Sequence, residues 1–435
     1  MDPAIPIKLD YTLRDLYSNG NEDDLNTVLI YYPLQFEYIH GRSSTKFVYA
    51  YTLQNDDEKA SSSIAMAAGM LPQRYAFSAG NMPLFILDFD PRNIQKEANH
   101  ITCQVMDKLP PRHVDIRRTF AQLTPDQQPT LTFVDNPENI PLEAGAQVAV
   151  LVPIDCLSHL PHLVQPEIHY EILSKRGLAV SGLATPPSQV IDTCLIDPGD
   201  PILLKQEVSR MVESTEQRQL PFMIKLPQSI SGIAAQQVQS SLISLFYGTS
   251  RLHYWASGGA VAFRHEKGQP RFIACCEQLF DEQGHWIGGS ILYRQQTELC
   301  ETFSAISENV ATFLHSKGYH GPAGVDIVTD EHSGEQFIVD LNVRVTGTFH
   351  LGPLLGHFTQ RGLFEAAITM GDFSCSRDAF EERFADEIRN GSLIVSGWVH
   401  DESSRPSHAA ITIGARDSYE LKEYLERIKA VALHA

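Results

Sequence analysis

The chain has 435 residues, of which 43% are hydrophobic and 20% charged, and its formal net charge is −19. At roughly 150 residues per domain this is material for two to three domains with cores of their own, which excludes a peptide or a disulfide-stapled miniprotein. The acidic balance, with no Lys/Arg-rich run to reverse it locally, argues against nucleic acid as a partner.

Met1 to Tyr11 carries Asp2 and Asp10 and no apolar run, so no signal peptide is expected. The longest apolar stretch, Val148–Ile154, is strand-sized and far short of the ~20 residues that span a bilayer, so no membrane association is expected. Seven cysteines, with no Cys-x-x-Cys and with Cys275 beside Cys276, fit neither a disulfide framework nor a zinc site. They read as reduced thiols of a cytoplasmic protein.

In chain order, residues 1–165 alternate strand-like runs (Val28–Tyr32, Leu84–Asp88, Val148–Ile154) with weak helical segments, which predicts an α/β unit. The polar-then-small run Asn55–Met66 predicts a loop. Residues 166–370 hold denser punctuation and the motifs. In residues 371–435 an acidic helix (Arg377–Arg389), a strand (Ser392–Val399), a Ser/Pro loop (Glu402–Ser407), a strand (Ala409–Ile413) and a helix (Ser418–Val431) predict a small α+β cap.

Within the middle segment, Pro221–Leu226 reads as a strand carrying Lys225, Pro227–Gly232 as a loop of small residues, and the following stretch as a helix. Backbone N–H groups of such a loop can approach phosphate oxygens while a strand lysine supplies charge. An exposed lysine before an ordinary turn is the other reading of the same residues. Further on, Phe303, Ile306, Val310, Phe313 and Leu314 stand at helical spacing in Glu301–Lys317, with Gly318 where a C-cap glycine belongs.

Gly324–Val328 and Gln336–Asn342 then predict an antiparallel hairpin around the turn Asp330–Gly334. Asp340 and Asn342 share a face, with Arg344 on it if the strand continues. If the hairpin is symmetric about Ser333, Asp326 lies opposite Asp340 with Cβ atoms roughly 4.5–5.5 Å apart. Like charges so close oppose folding, and a divalent cation held by Asp326, Asp340 and Asn342 would remove the conflict. A solvated strand face is the alternative.

These residues resemble the ATP-grasp superfamily, whose late hairpin carries an acid on one strand and a Glu/Asp-x-Asn-x-Arg signature on the next, here Gly324-Val325-Asp326 and Asp340-Leu341-Asn342-Val343-Arg344. The resemblance covers roughly Tyr170 to Gly362. Gly318–Asp326 and Val345–Leu351 are similar in detail to fungal ATP-grasp proteins related to peptide ligases of secondary metabolism.

The resemblance implies an α/β protein with an N-terminal α/β domain (1–165), an ATP-grasp core of two α+β lobes clasping ATP (166–370) and a C-terminal α+β cap (371–435). It implies carboxylate–amine ligation through an acyl phosphate, releasing ADP and phosphate, with ATP and Mg²⁺. Lys175 and Lys225 would reach the nucleotide phosphates. Ser229, Ser231 and Gly232 would belong to the loop over them, and Asp326, Asp340 and Asn342 would hold Mg²⁺. Arg344 would stabilise the transferring group, while Thr346, Gly347 and Thr348 would cradle the carboxylate substrate.

The chain departs from the family at Leu252-His253-Tyr254-Trp255, where an acid that meets the adenine and ribose is expected. Tyr254 or Trp255 stacks on adenine or packs in the core. Glu277, read as ending the strand Phe272–Cys276 ahead of a glycine-rich loop Gly284–Gly289, recognises a substrate amine, orients a nucleotide group, or is simply exposed. His159, His162 and His169 read as surface histidines and Cys275-Cys276 as buried small hydrophobes. The partners expected are small-molecule carboxylate and amine substrates, with a homodimer left open. Two further readings stand: a nucleotide- or partner-binding homologue without catalysis, and a small-molecule kinase on the same fold.

Overall fold

The computed structural model describes residues 4–18, 26–32, 45–49, 69–87, 111–194, 197, 199–216, 222–228, 235–238, 257–263, 270–280, 286–330, 333–400 and 406–433. The fold is mixed α/β, with one parallel and two antiparallel sheets among the described residues. β1 (Thr27–Tyr31), β2 (Pro83–Leu87), β3 (Thr130–Val134) and β4 (Gln147–Val150) form a four-stranded parallel sheet in the order β3-β2-β1-β4. β1 is buried along its whole length, as a parallel strand covered on both faces must be. The apolar run Val148–Ile154 therefore pairs only as far as Val150, and its remainder packs as irregular chain in the core behind the sheet.

β5 (Phe222–Lys225) and β6 (Ala235–Val238) form a two-stranded antiparallel pair. The helix predicted after the small-residue loop is thus a strand in its first described part. Residues Ala235–Val238 carry no 3.6-residue periodicity, and the partner offered by β5 decides their conformation.

The remaining strands are β7 (Ser257–Phe263), β8 (Pro270–Phe280), β9 (Trp286–Leu292), β10 (Pro322–Thr329), β11 (Gln336–Asn342), β12 (Glu365–Phe373), β13 (Leu393–His400) and β14 (Ser407–Ala415). They make one eight-stranded sheet in the order β11-β10-β7-β8-β9-β12-β14-β13. The strands after residue 371 accordingly extend the sheet that carries the hairpin, with antiparallel β12 joining β9 to β14. The glycine-rich stretch read as a loop is, from Trp286 on, strand β9.

Each face of the sheet has its own apolar layer. Ile306, Val310, Ala311 and Leu314 of the helix Ser304–Ser316 pack on Val325, Ile327, Ile338 and Leu341. The predicted single helix over Glu301–Lys317 is broken at Phe303, which caps one helix and begins the next, and Gly318 takes the left-handed conformation (φ +74°) that closes it. A second layer joins the two sheets: Leu29, Tyr31, Leu84 and Ile86 of the parallel sheet meet Ile273, Cys276, Ile368 and Ile394 of the large one. The acidic helix expected at Arg377–Arg389 is also two, Arg377–Arg383 and Ala385–Asn390, hinged at the buried Phe384. They and the helix Ser418–Lys429 cover Trp398, Ile411 and Ile413. Among the described residues no helix is long and apolar enough to cross a membrane.

Candidate functional site

The hairpin of β10 and β11 pairs Gly324 with Asn342, Val325 with Leu341 and Asp326 with Asp340, the symmetric register the turn predicts. The register then slips: Ile327 pairs with Ile338, leaving Val339 as an extra residue. This bulge lets Ile338 and Leu341, three apart, both face the apolar layer, and leaves Asp340 and Asn342 on the opposite face. The two carboxylates are thus brought across from each other by a hairpin whose other face is locked in the core.

Three cationic groups converge there. Lys175, the first residue of the helix Lys175–Ala179, ion-pairs with Asp340 Oδ1, the same oxygen that accepts the Leu341 N–H at 2.8 Å. Lys225 on β5 donates its ammonium to the Val339 carbonyl at 2.7 Å. Arg344 donates to Asn342 Oδ1 at 3.1 Å and to the Val345 carbonyl at 3.2 Å, so it reaches the site from just past the end of β11 rather than from within the strand. Burial and then the charge of Asp340 push Asp326 up to about 6, against a hydrogen bond from Gln278 and the charges of Lys175 and Arg344. Removal of its amine from water lowers Lys225, although its stem is exposed, and repulsion by Lys175 adds to this.

The segment after Arg344 packs closely. The Thr346 methyl lies against Gly324, where a Cβ would come within 2.4 Å of it, and the Thr348 methyl against Gly289, at 2.6 Å. The Thr348 hydroxyl engages the buried Cys276 thiol. Gly347 faces the indole of Trp286 and the guanidinium of Arg74, with Trp286 Cη2 at 2.7 Å from the place of an added Cβ. Cys275 and Cys276 are both buried, as small hydrophobes should be.

Glu277 takes the exposed alternative, but not at a strand end: it lies inside β8. Alternation along the strand turns it away from the face that Gln278 shares with Asp326, and Glu365 is among its neighbours. His162 and His169, expected at the surface, are 7% and 4% exposed. Their ring nitrogens bond the carbonyls of Leu157 and Val343 at 2.8 and 2.7 Å, and burial lowers both, His169 to about 4, so each is a neutral packing residue. His169 thereby holds the chain one residue before Arg344. Among the described residues no group of three or more His, Cys, Asp or Glu is arranged to hold a metal ion; the set here is two carboxylates and one amide. Ser229, Ser231, Gly232, Tyr254 and Trp255 lie outside the described residues.

Three residues at this face had no local signal. Gln278 bonds Asp326. Arg74 and Tyr75, in the helical residues 69–76, come from the far end of the chain. Arg74 donates to the Tyr75 hydroxyl at 2.7 Å and lies over the Trp286 ring, and Arg344 also interacts with the Tyr75 oxygen. Burial alone would raise the Tyr75 phenol, but the two guanidiniums outweigh it and hold the group below its usual range.

No family model matches the sequence. No curated protein matches it. Among solved structures, the chain is similar to N5-carboxyaminoimidazole ribonucleotide synthetase from Thermus thermophilus, at 15% identity and a TM-score of 0.44 over 72% of this chain and 91% of that one. It is similar also to carboxyaminoimidazole ribonucleotide synthase from Aspergillus clavatus, solved with ATP, at 11% identity and a TM-score of 0.40 over 70% and 92%. Biotin carboxylase from Campylobacter jejuni gives 9% identity and a TM-score of 0.37 over 61% and 67%. Likeness at this level carries no functional argument.

Proposed function

We propose that this protein is an ATP-grasp ligase that joins a carboxylate to an amine, using ATP and Mg²⁺. The observation that carries the reading is the Asp326–Asp340 pairing with Lys175 and Lys225 drawn to it from two other elements. Two carboxylates and an amide oxygen are the hard donors Mg²⁺ prefers, and the raised Asp326 marks a face with more negative charge than its environment readily bears. Asp326, Asp340 and Asn342 would hold the metal, whose chemistry is to neutralise phosphate charge as the phosphoryl group moves.

The protein's own contribution is positioning and charge. Phosphoryl transfer asks little covalent help of an enzyme. Lys175, now on Asp340, would be drawn to phosphate oxygens that compete for it, and Lys225 ends β5 four residues before Ser229. Arg344, fixed by Asn342 and the Val345 carbonyl, offers a planar fork to the group being transferred. Thr346, Gly347 and Thr348 border the carboxylate. The finer reading is peptide or amino-acid ligation in secondary metabolism, on a chain of three parts with boundaries near 165 and 370.

The test is incubation with MgATP and pooled amino acids while ADP, AMP and new masses are followed together. ADP release that needs both an acid and an amine supports the reading. AMP and pyrophosphate would replace it with adenylation, and a stable phosphorylated product would make the protein a kinase. The non-catalytic reading draws on Leu252-His253-Tyr254-Trp255, which lacks the expected acid; nucleotide binding without turnover would favour it.

A further inference from the structure

We infer that Arg74, Tyr75 and Arg344 form a carboxylate-binding site that anchors the acid to be activated, an inference that rests on the ligase reading above. Arg74 is 7% exposed and has no carboxylate partner among the described residues. Among the described residues its two terminal nitrogens reach only the neutral Tyr75 hydroxyl and Met370 sulfur, and its buried Nε has no hydrogen-bond partner. A buried guanidinium without an anion is destabilising, so the fold keeps this charge against its own stability.

The neighbours add donors rather than acceptors. The Tyr75 oxygen accepts from Arg74 and interacts with Arg344, and its proton has no acceptor among the described residues. Arg344 likewise has no carboxylate partner among the described residues; its terminal nitrogens go to an amide and a carbonyl. Two cations and a hydroxyl, with no carboxylate bonded to them among the described residues and the Asp326 charge acting on Arg344 only from beyond ion-pair distance, are the complement of a carboxylate, whose two in-plane oxygens fit guanidinium forks. The Trp286 ring lies on the Arg74 guanidinium, and Gly347 lets both approach the backbone of the Thr346–Thr348 turn. Arg344 also sits two residues from Asn342, so an acid held here lies next to the proposed metal ligands. Arg74 and Tyr75 thus give residues 69–76 a part in substrate selection.

Carbon-13 malonate is the probe, followed by saturation-transfer NMR at constant ionic strength, with inorganic phosphate and chloride as competitors. Saturable malonate binding is expected, weakened at least tenfold in Arg74→Met and about threefold in Tyr75→Phe, with MgADP still raising the melting temperature of both variants. Tyr75→Phe removes one oxygen atom and serves should Arg74→Met fail to fold. Malonate binding unchanged in either folded variant overturns the inference, as does tighter binding of phosphate than of malonate. Arg74-dependent malonate binding without any MgADP response would uphold the site while removing the ligase reading, so the two fail separately.

Discussion

The eight-stranded sheet contains two hairpins built on one plan, β10–β11 and β13–β14, and their faces carry opposite contents. Each has a single slip of register, at Val339 in the first and at Ser396 in the second. In β13 the extra residue puts Leu393, Val395 and Trp398 on one apolar face, and the displaced Ser396 is fully buried, donating to the Ala410 carbonyl at 2.9 Å and accepting from Thr412 at 3.1 Å. The hydroxyl that this slip buries finds neutral partners on both sides. In β11 the same device sets Asp340 against Asp326 and calls on lysines from elsewhere to offset the charge. One hairpin uses its bulge for packing, the other for a charged site, and stability and function should separate accordingly.

The comparison breaks most sharply at Asp340. Asp340→Ala should lower ADP release by about a thousandfold or more, the scale at which charge-stabilising groups act, while moving the melting temperature little, because it removes repulsion on Asp326 as it frees Lys175. Retained turnover in that variant would strip the hairpin of its role. Trp398→Ala in the other hairpin should instead lower the unfolding free energy by about 3–5 kcal/mol, the usual effect of deleting a large buried aromatic, measured by urea titration.

Asp326→Asn tests the electrostatic half of the contrast. A carboxyl whose pKa rises on folding from 3.8 to about 6 binds its proton more tightly folded than unfolded. Its charge therefore works against the fold above about pH 6, and that penalty fades as pH falls toward 3.8. The variant should gain on the order of 2 kcal/mol over the unsubstituted protein at pH 8 without metal, with the gain shrinking below pH 6. The same proton competes with metal, so Mg²⁺ affinity should fall as pH drops through about 6. The smallest effect is expected from Ser396→Ala, about 1 kcal/mol for the lost buried hydrogen bonds, with ADP release unchanged.

How much of this could be read in the residues depends on the range of the cause. The β10–β11 hairpin was legible because a short polar turn and two apolar runs fix it locally, while the register beside the turn, Thr329 with Gln336, is one residue off the symmetric one and only the bulge returns Asp326 to Asp340. The bulge at Val339 was not, since it answers to the helix Ser304–Ser316 packed behind it. The choice between Glu277 and Gln278 turns on strand phase, which the neighbouring strands set. Residues Ala235–Val238 favour neither period strongly in sequence, so the partner strand decides against the expected helix. His169 reads as solvated in the sequence because its carbonyl acceptor, Val343, comes from a distant segment and leaves no mark beside it, whereas His162 is bonded by the Leu157 carbonyl only five residues back. Arg74 and Tyr75 carry no motif at all and enter only through the layer that joins the two sheets.

The account is tested most directly by counting bound Mn²⁺, a spin-active stand-in for Mg²⁺, by electron paramagnetic resonance in the presence of ADP. The unsubstituted protein should remove free Mn²⁺ from solution in a nucleotide-dependent, saturable way, and Asp340→Ala should abolish that binding at the same concentrations. Equal uptake by both proteins, or none by either, would contradict the claim that this hairpin holds the metal.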